Sequence, residues 1–183
     1  MTNGKELTKI SKMLSMVLRH QPEFIGIELD QQGWVDVELL IQQMNSHNIA
    51  IDRVLLDQVV ETNSKKRFSF NDSKEQIRAS QGHSVSVELG YLAQVPPDVL
   101  FHGTAEKSVE SILDIGLEKR ERQHVHLSQE LQTAIEVGRR HGKPVVFRVQ
   151  SGMMHQAGHS FYLSDNKVWL TDHVPVQFLD QHK

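Results

Sequence analysis

Lys65-Lys66-Arg67-Phe68-Ser69-Phe70, then Asn71-Asp72-Ser73-Lys74-Glu75, then Gln76-Ile77-Arg78-Ala79 is the stretch that decides how the first half of this chain is built. Phenylalanine alternates with polar residues from Arg67 to Phe70, the period of a strand with one buried face. The run from Asn71 to Glu75 has turn chemistry, and Gln76–Ala79 reads as the returning strand. On a pleated strand Phe68 and Phe70 point to one side, Arg67 and Ser69 to the other. If the phenylalanines are core, Arg67 looks outward from a rigid element, and Arg78 on the return strand is expected to join it on that surface. Three adjacent cations at 65–67 are otherwise an ordinary solvated turn.

Upstream of the hairpin the period changes. Leu7, Ile10, Leu14, Val17 and Leu18 recur every three to four residues, predicting a helix over Glu6–His20 with one buried stripe. Gln21-Pro22 stops it, because proline drives the residue before it out of the helical region. Gly33 marks a turn before Trp34-Val35, and Asp36 is placed to cap a helix carrying Val37, Leu39, Leu40 and Met44. Asp52 is placed to cap a second, through Val54, Leu55, Val59 and Val60. Helices followed by a two-stranded wing describe a winged-helix-like lobe.

Downstream, Pro96-Pro97 is the stiffest dipeptide and the expected boundary, giving lobes 1–95 and 96–183. Val99-Leu100-Phe101 reads as a strand running into His102-Gly103-Thr104. A helix follows, with Val109, Ile112 and Leu113 on one face and Gly116 as its C-cap. Val125 and Leu127 mark a strand, and Ser128 is expected to cap a helix ending at Arg139-Arg140-His141-Gly142. Pro144 opens the strand Val145–Val149. Phe161-Tyr162-Leu163 and Val168-Trp169-Leu170 flank the turn pair Asp165-Asn166. Short strands mixed with two helices make an α+β lobe, so the whole chain is expected to be α+β.

Composition narrows the chemistry. At 183 residues one domain or two small lobes fit, and 38% apolar content suffices for a core. There is no apolar run of membrane-spanning length and no signal-peptide pattern at the start, so a membrane location is not expected. Cysteine is absent, which removes disulfides, thiolate zinc sites and cysteine nucleophiles and fits a cytoplasmic protein. The net charge of −3 excludes nucleic-acid binding by bulk electrostatics; any such binding rests on a few focused cations. Eleven histidines invite a metal, but the spacings of strong metal motifs are missing, so none is expected. No free hydrophobic stripe demands a partner, and a monomer is expected.

Several residues carry candidate chemistry. Arg19-His20 at a helix C-terminus complements the helix dipole in its plainest reading. Its functional reading pairs a guanidinium able to grip phosphate with an imidazole able to donate a proton near neutrality. Ala79-Ser80-Gln81-Gly82-His83-Ser84 places small polar residues around a glycine, which suits close approach of a ligand. His102-Gly103-Thr104 offers imidazole, an accessible main chain and a hydroxyl, against the alternative of an ordinary strand-to-helix turn. From Arg122 to Ser128 the alternation places Arg122, His124, His126 and Ser128 on one side. His124-x-His126 supplies only two potential metal ligands, and no third is near.

In order, Leu14-Ser15-Met16-Val17-Leu18-Arg19-His20, Lys66-Arg67-Phe68, Ile77–Ser84, Phe101-His102-Gly103-Thr104, His124–Ser128 and Phe161–Ser164 through Val168–Thr171 resemble the NAD-dependent RNA 2′-phosphotransferase family. The match runs from about Leu7 to Pro175. The resemblance implies a winged-helix-like RNA lobe and an ADP-ribosyltransferase-like NAD lobe. It also implies an Arg-His-Arg-Arg catalytic set, falling on Arg19, His20, Arg67 and Arg122, with Arg120 as a rival for the fourth place. By the same resemblance His102, Gly103, Thr104 and Ser128 would bind NAD, while Lys66, Arg78 and His83 would bind the phosphate or RNA.

The implied reaction consumes NAD, needs no metal and has two steps. An oxygen of an internal RNA 2′-phosphate, tRNA being the implied processing context, attacks C1″ and expels nicotinamide, leaving an ADP-ribosylated phosphate. The ribose 2″-hydroxyl then attacks phosphorus, giving 2′-hydroxyl RNA and ADP-ribose 1″,2″-cyclic phosphate. Three other readings compete. An ADP-ribosyltransferase acting on nucleic-acid phosphate or protein would stop after the first step. A non-catalytic nucleic-acid-binding regulator would merely sense a nucleotide, and a metal-dependent phosphatase would need carboxylate and histidine spacings that are lacking.

Overall fold

The computed structural model describes residues 4–182. It is mixed α/β, with small antiparallel sheets, and divides into two compact units between Gly90 and Tyr91.

In the first unit, α1 (Gly4–Val17) buries Ile10, Leu14 and Val17, the stripe expected from the sequence, and Leu18 continues it past the last helical residue. Pro22 opens a short 3-10 turn, Pro22–Ile25, closed by Gly26 in the left-handed region. Strand β1 (Val35–Asp36) leads into α2 (Val37–Ser46), and α3 (Arg53–Thr62) follows. Both expected caps form: Asp36 accepts from the Leu39 amide at 2.8 Å and Asp52 from the Leu55 amide at 2.7 Å. Strands β2 (Phe68–Phe70) and β3 (Gln76–Ala79) pair antiparallel, with Ser69 opposite Arg78. β1 adds to the other edge of β3, so the hairpin is the larger part of a three-stranded sheet. Phe68 is buried; Phe70 is half-buried, with the Arg53 guanidinium 5.3 Å from its ring centre.

The second unit holds β4 (Leu100–Ala105), α4 (Val109–Ile115), β5 (Leu117–Glu118), β6 (Val125–Leu127), α5 (Leu131–Arg139), β7 (Pro144–Val149), α6 (Ser151–Gln156), β8 (Tyr162–Leu163), β9 (Trp169–Thr171), β10 (His173–Val174) and β11 (Leu179–His182). Its sheets run β11-β7-β4, β6-β9-β8 and β10-β5. Leu100, Leu127, Phe147, Met154 and Phe161 are fully buried at its centre. The Pro96-Pro97 dipeptide lies inside this unit: Pro96 is buried, and the Pro97 carbonyl accepts from the Ser151 hydroxyl at 2.6 Å.

At three places the structure departs from the pattern the sequence predicts. His102-Gly103-Thr104 is part of β4, paired residue by residue with β7 from Leu100 to Ala105, and no strand-to-helix turn occurs there. Ser128 does not cap α5. Its N–H and C=O both bond to Phe101 at 2.8 Å, prolonging the sheet, and the helix starts only after Glu130. Leu113 is exposed, while Ile112 carries the buried face of α4. Among the described residues no helix is long and apolar enough to cross a membrane.

Candidate active site

Within the first unit, the end of α1 meets the start of the hairpin. Arg19 Nη2 lies 3.4 Å from the Arg67 carbonyl, bringing two arginines far apart in sequence to one place. Arg67 follows Lys66, whose positive φ of 44° turns the chain into β2, and its Nη1 donates to Asn63 Oδ1 at 3.2 Å. The turn is fixed from across the hairpin, where Ser80 donates its amide to the Arg67 carbonyl at 2.9 Å and its hydroxyl to the Lys66 carbonyl at 2.9 Å. Arg19 and Arg67 are half-buried; Lys66 and His20 are exposed. His20 is held against the segment after β3, its Nδ1 lying 2.9 Å from Ser84 Oγ.

Arg78, expected to face outward, and His83, expected to bind phosphate or RNA, are both buried. The Arg78 guanidinium sits 4.4 Å from the Trp34 ring centre and donates to the Leu89 carbonyl at 2.9 Å. Stacking and carbonyl acceptors draw it inward, so it is buried although it stands opposite Ser69 on the strand pair. The His83 side chain is 1% exposed and reaches toward Gly33, where a Cβ would stand 3.4 Å from its Nε2. Burial first, then the charges of Arg19, His20 and Arg78, push its pKa down to about 4, so the ring is neutral near pH 7. Arg78 and His83 therefore back the Arg19–His20 locus from inside the unit.

Within the second unit, two histidines have their tautomers set by partners that act in only one sense. His102 Nδ1 lies 3.1 Å from the His126 carbonyl, which can only accept, so His102 carries its proton on Nδ1 and presents Nε2 as an acceptor. Burial lowers its pKa, against the raising effect of that carbonyl, with Arg122 and then Arg120 lowering it further. Arg122 Nη1 lies 2.9 Å from His126 Nδ1. A guanidinium can only donate, so neutral His126 accepts there and keeps its proton on Nε2. Arg122 thus stands beside the His102–His126 pair. Arg120 is exposed in a left-handed turn, φ 51°, with no hydrogen bond to either ring.

Gly103 is required by packing. A Cβ there would stand 1.7 Å from the Ala134 carbonyl oxygen of α5. Because Phe101 turns its N–H and C=O away from β7 toward Ser128, the alternation of a strand turns those of Gly103 toward the same edge of the sheet. Thr104 is buried beside it. His124 stands edge-on to Tyr162, 5.6 Å between ring centres, and belongs to neither cluster's hydrogen bonds given above. Among the described residues no group of three or more His, Asp or Glu could hold a metal ion.

Asn63 and Trp34 were not foreseen as site residues, and Ser84 was foreseen only as part of a ligand-approach segment, not as the partner of His20. Asn63 sits four residues before Arg67, a spacing that offered a signal; Trp34 and Ser84 reach their partners only through folding.

Guanidinium and imidazole groups held by main-chain and side-chain partners recur in both units, and such groups are the kind that suit anionic ligands. The chain belongs to the RNA 2′-phosphotransferase, Tpt1 / KptA family, whose model matches residues 5–173. A probable RNA 2′-phosphotransferase of Flavobacterium johnsoniae is 53% identical over 171 residues, covering 93% of this chain and 94% of that protein. One from Nostoc punctiforme is 53% identical over 179 residues, covering 98% and 99%. One from Pseudomonas aeruginosa is 50% identical over 176 residues, covering 96% and 97%.

Proposed function

We propose that this protein removes an internal 2′-phosphate from RNA by transferring it to NAD. One observation carries the reading: in a member of this family, Arg19 and Arg67 meet through the 3.4 Å contact at the Arg67 carbonyl, with His20 next in the chain. Two half-buried guanidinium groups held by main chain and Asn63 are suited to the non-bridging oxygens of one phosphate, and Arg122 is the fourth member of the set. Lys66, exposed beside them, is suited to a flanking phosphate. A single tightly gripped phosphate also accommodates the net charge of −3.

In this reading the first unit is a winged-helix-like RNA lobe and the second an ADP-ribosyltransferase-like NAD lobe. The second unit's residues fit a dinucleotide. His102 offers an acceptor nitrogen to a ribose hydroxyl and the Gly103 main chain offers donor and acceptor to a carboxamide, with Thr104 next in β4 and Ser128 bridged to Phe101. Bound NAD supplies an electrophilic C1″ whose bond to nicotinamide breaks, the electron pair going to the pyridinium nitrogen, as a 2′-phosphate oxygen bonds to that carbon. The 2″-hydroxyl then bonds to phosphorus, releasing its proton, while the bond from phosphorus to the RNA 2′-oxygen breaks. Arg19, Arg67 and Arg122 hold the phosphate and offset charge building on its oxygens. His20 gives a proton to the departing 2′-oxygen, and RNA leaves with a 2′-hydroxyl.

The test is incubation with an RNA oligonucleotide bearing one internal 2′-phosphate, with and without NAD, in chelator. The expected products are 2′-hydroxyl RNA, nicotinamide and ADP-ribose 1″,2″-cyclic phosphate. Accumulated ADP-ribosylated RNA would instead support a transferase that stops after one step, and no NAD consumption would support a binding module.

A further inference from the structure

The segment after β3 does more than line the phosphate grip. We infer that Ser84 is a positioning residue that selects which nitrogen of His20 faces the substrate, an inference that rests on the proton-donor role given to His20 above.

The placement of Ser84 is over-determined. Its amide donates to the Arg19 carbonyl at 2.9 Å, and the Val85 amide donates to the same oxygen at 3.3 Å. That oxygen lies just past the end of α1, where a carbonyl has no partner within the helix. The loop is therefore registered on the residue directly before His20. The neighbouring His83 ring is buried, which anchors the segment from below while Ser84 stays exposed. Thus the 2.9 Å separation of Ser84 Oγ and His20 Nδ1 joins two side chains whose main chains already hold each other.

The direction of that bond depends on the His20 tautomer, and the tautomer inferred here has its proton on Nδ1, with the Ser84 hydroxyl hydrogen turned toward the Arg19 carbonyl. Ser84 Oγ lies 3.5 Å from the Arg19 carbonyl, which can take the hydroxyl hydrogen. The hydroxyl oxygen is then left to accept from His20 Nδ1–H. This arrangement serves both charge states of the ring: the neutral ring keeps its lone pair on Nε2, and the imidazolium carries its transferable proton there. Nδ1 stays tethered to the protein throughout. Without the hydroxyl, the ring loses the contact that favours the Nδ1–H tautomer, and the reacting nitrogen spends less time on the phosphate side.

The experiment joins a spectroscopic and a kinetic reading on the full chain. Long-range ¹H–¹⁵N correlation spectra above pH 8, with His20 assigned from its loss in His20→Asn, report the tautomer whether or not the enzyme turns over. The expectation is an Nδ1–H signature in the wild type and in Ser84→Thr, shifting toward Nε2–H in Ser84→Ala. In single turnover, Ser84→Ala is expected to slow formation of 2′-hydroxyl RNA about tenfold, corresponding to about 1.4 kcal/mol. Nicotinamide release and the KM for NAD should hold, and Ser84→Thr should recover most of the rate. Ser84→Ala should add nothing in a His20→Ala background, where a purely structural role would still register. An Nε2–H wild type, or a tautomer unmoved by Ser84→Ala, overturns the inference. A wild type with the expected tautomer but no NAD-dependent phosphate removal overturns the proposed reaction and leaves the positioning contact standing.

Discussion

The buried His83 links the stability of the first unit to pH in a way that can be worked from the structure. Its ring is 1% exposed, and both nitrogens lack a hydrogen-bond partner among the described residues. Its folded pKa is about 4, against 6.5 when unfolded. The unfolded chain therefore holds this proton more tightly than the folded one. The stability His83 permits is complete above pH 6.5, falls as pH drops from 6.5 toward 4, and levels off below. At about 1.4 kcal/mol per pH unit the full loss is about 3 kcal/mol, of which about 2 kcal/mol falls between pH 7 and pH 5. Other carboxylates and histidines titrate in the same range, so the assay is a difference: urea unfolding of wild type and His83→Leu at pH 7 and pH 5. Leucine keeps an apolar side chain in the site and removes both orphan nitrogens, so at pH 7 the variant should lie within about 1 kcal/mol of wild type. On acidification the wild type should lose about 2 kcal/mol more than the variant. Equal losses in the two proteins would refute a buried, neutral His83 beside Arg19, His20 and Arg78.

Three further outcomes follow from the same geometry. Gly103→Ala should destabilise the second unit by about 3 kcal/mol, because a Cβ 1.7 Å from a helix carbonyl moves α5. For a cooperative unit of this size that is roughly 12–24 °C in the thermal midpoint, and an unchanged melt would show that α5 does not press on β4 there. In the proposed reaction Arg122→Lys keeps the charge but gives up the planar guanidinium that bonds His126, so kcat should fall about 100-fold while the melting temperature holds. The same loss in Arg120→Lys, with Arg122→Lys active, would transfer the role to Arg120. Arg78→Ala should cost about 2–3 kcal/mol in urea, through lost stacking on Trp34 and an unsatisfied Leu89 carbonyl; a loss under about 0.5 kcal/mol would show that water replaces both.

The first unit was the more legible in sequence because its signals are local. Asp36 and Asp52 sit directly before the helices they cap, and the helix stripe and hairpin alternation are periodicities of neighbouring residues. Arg19, His20 and Arg67 stood out by residue type and by resemblance, and the sequence alone put Arg19 and His20 at a helix end and Arg67 at a strand start. The second unit resisted for the opposite reason. Its strands are short, and whether His102-Gly103-Thr104 is a turn or a strand depends on β7, which lies far along the chain. Ser128 reads as a cap because serine before a helix usually is one; its two bonds to Phe101 displaced that role.

Tertiary structure alone decided which polar groups face outward. Arg67 and Arg78 look equivalent on a two-stranded wing, yet Trp34 and the Leu89 carbonyl draw Arg78 into the unit. The tautomers of His102 and His126 were fixed by a carbonyl and a guanidinium contributed by other segments. Sequence determines what each side chain can donate or accept, whereas the direction of a hydrogen bond and the burial of a charge depend on partners that only folding brings within reach.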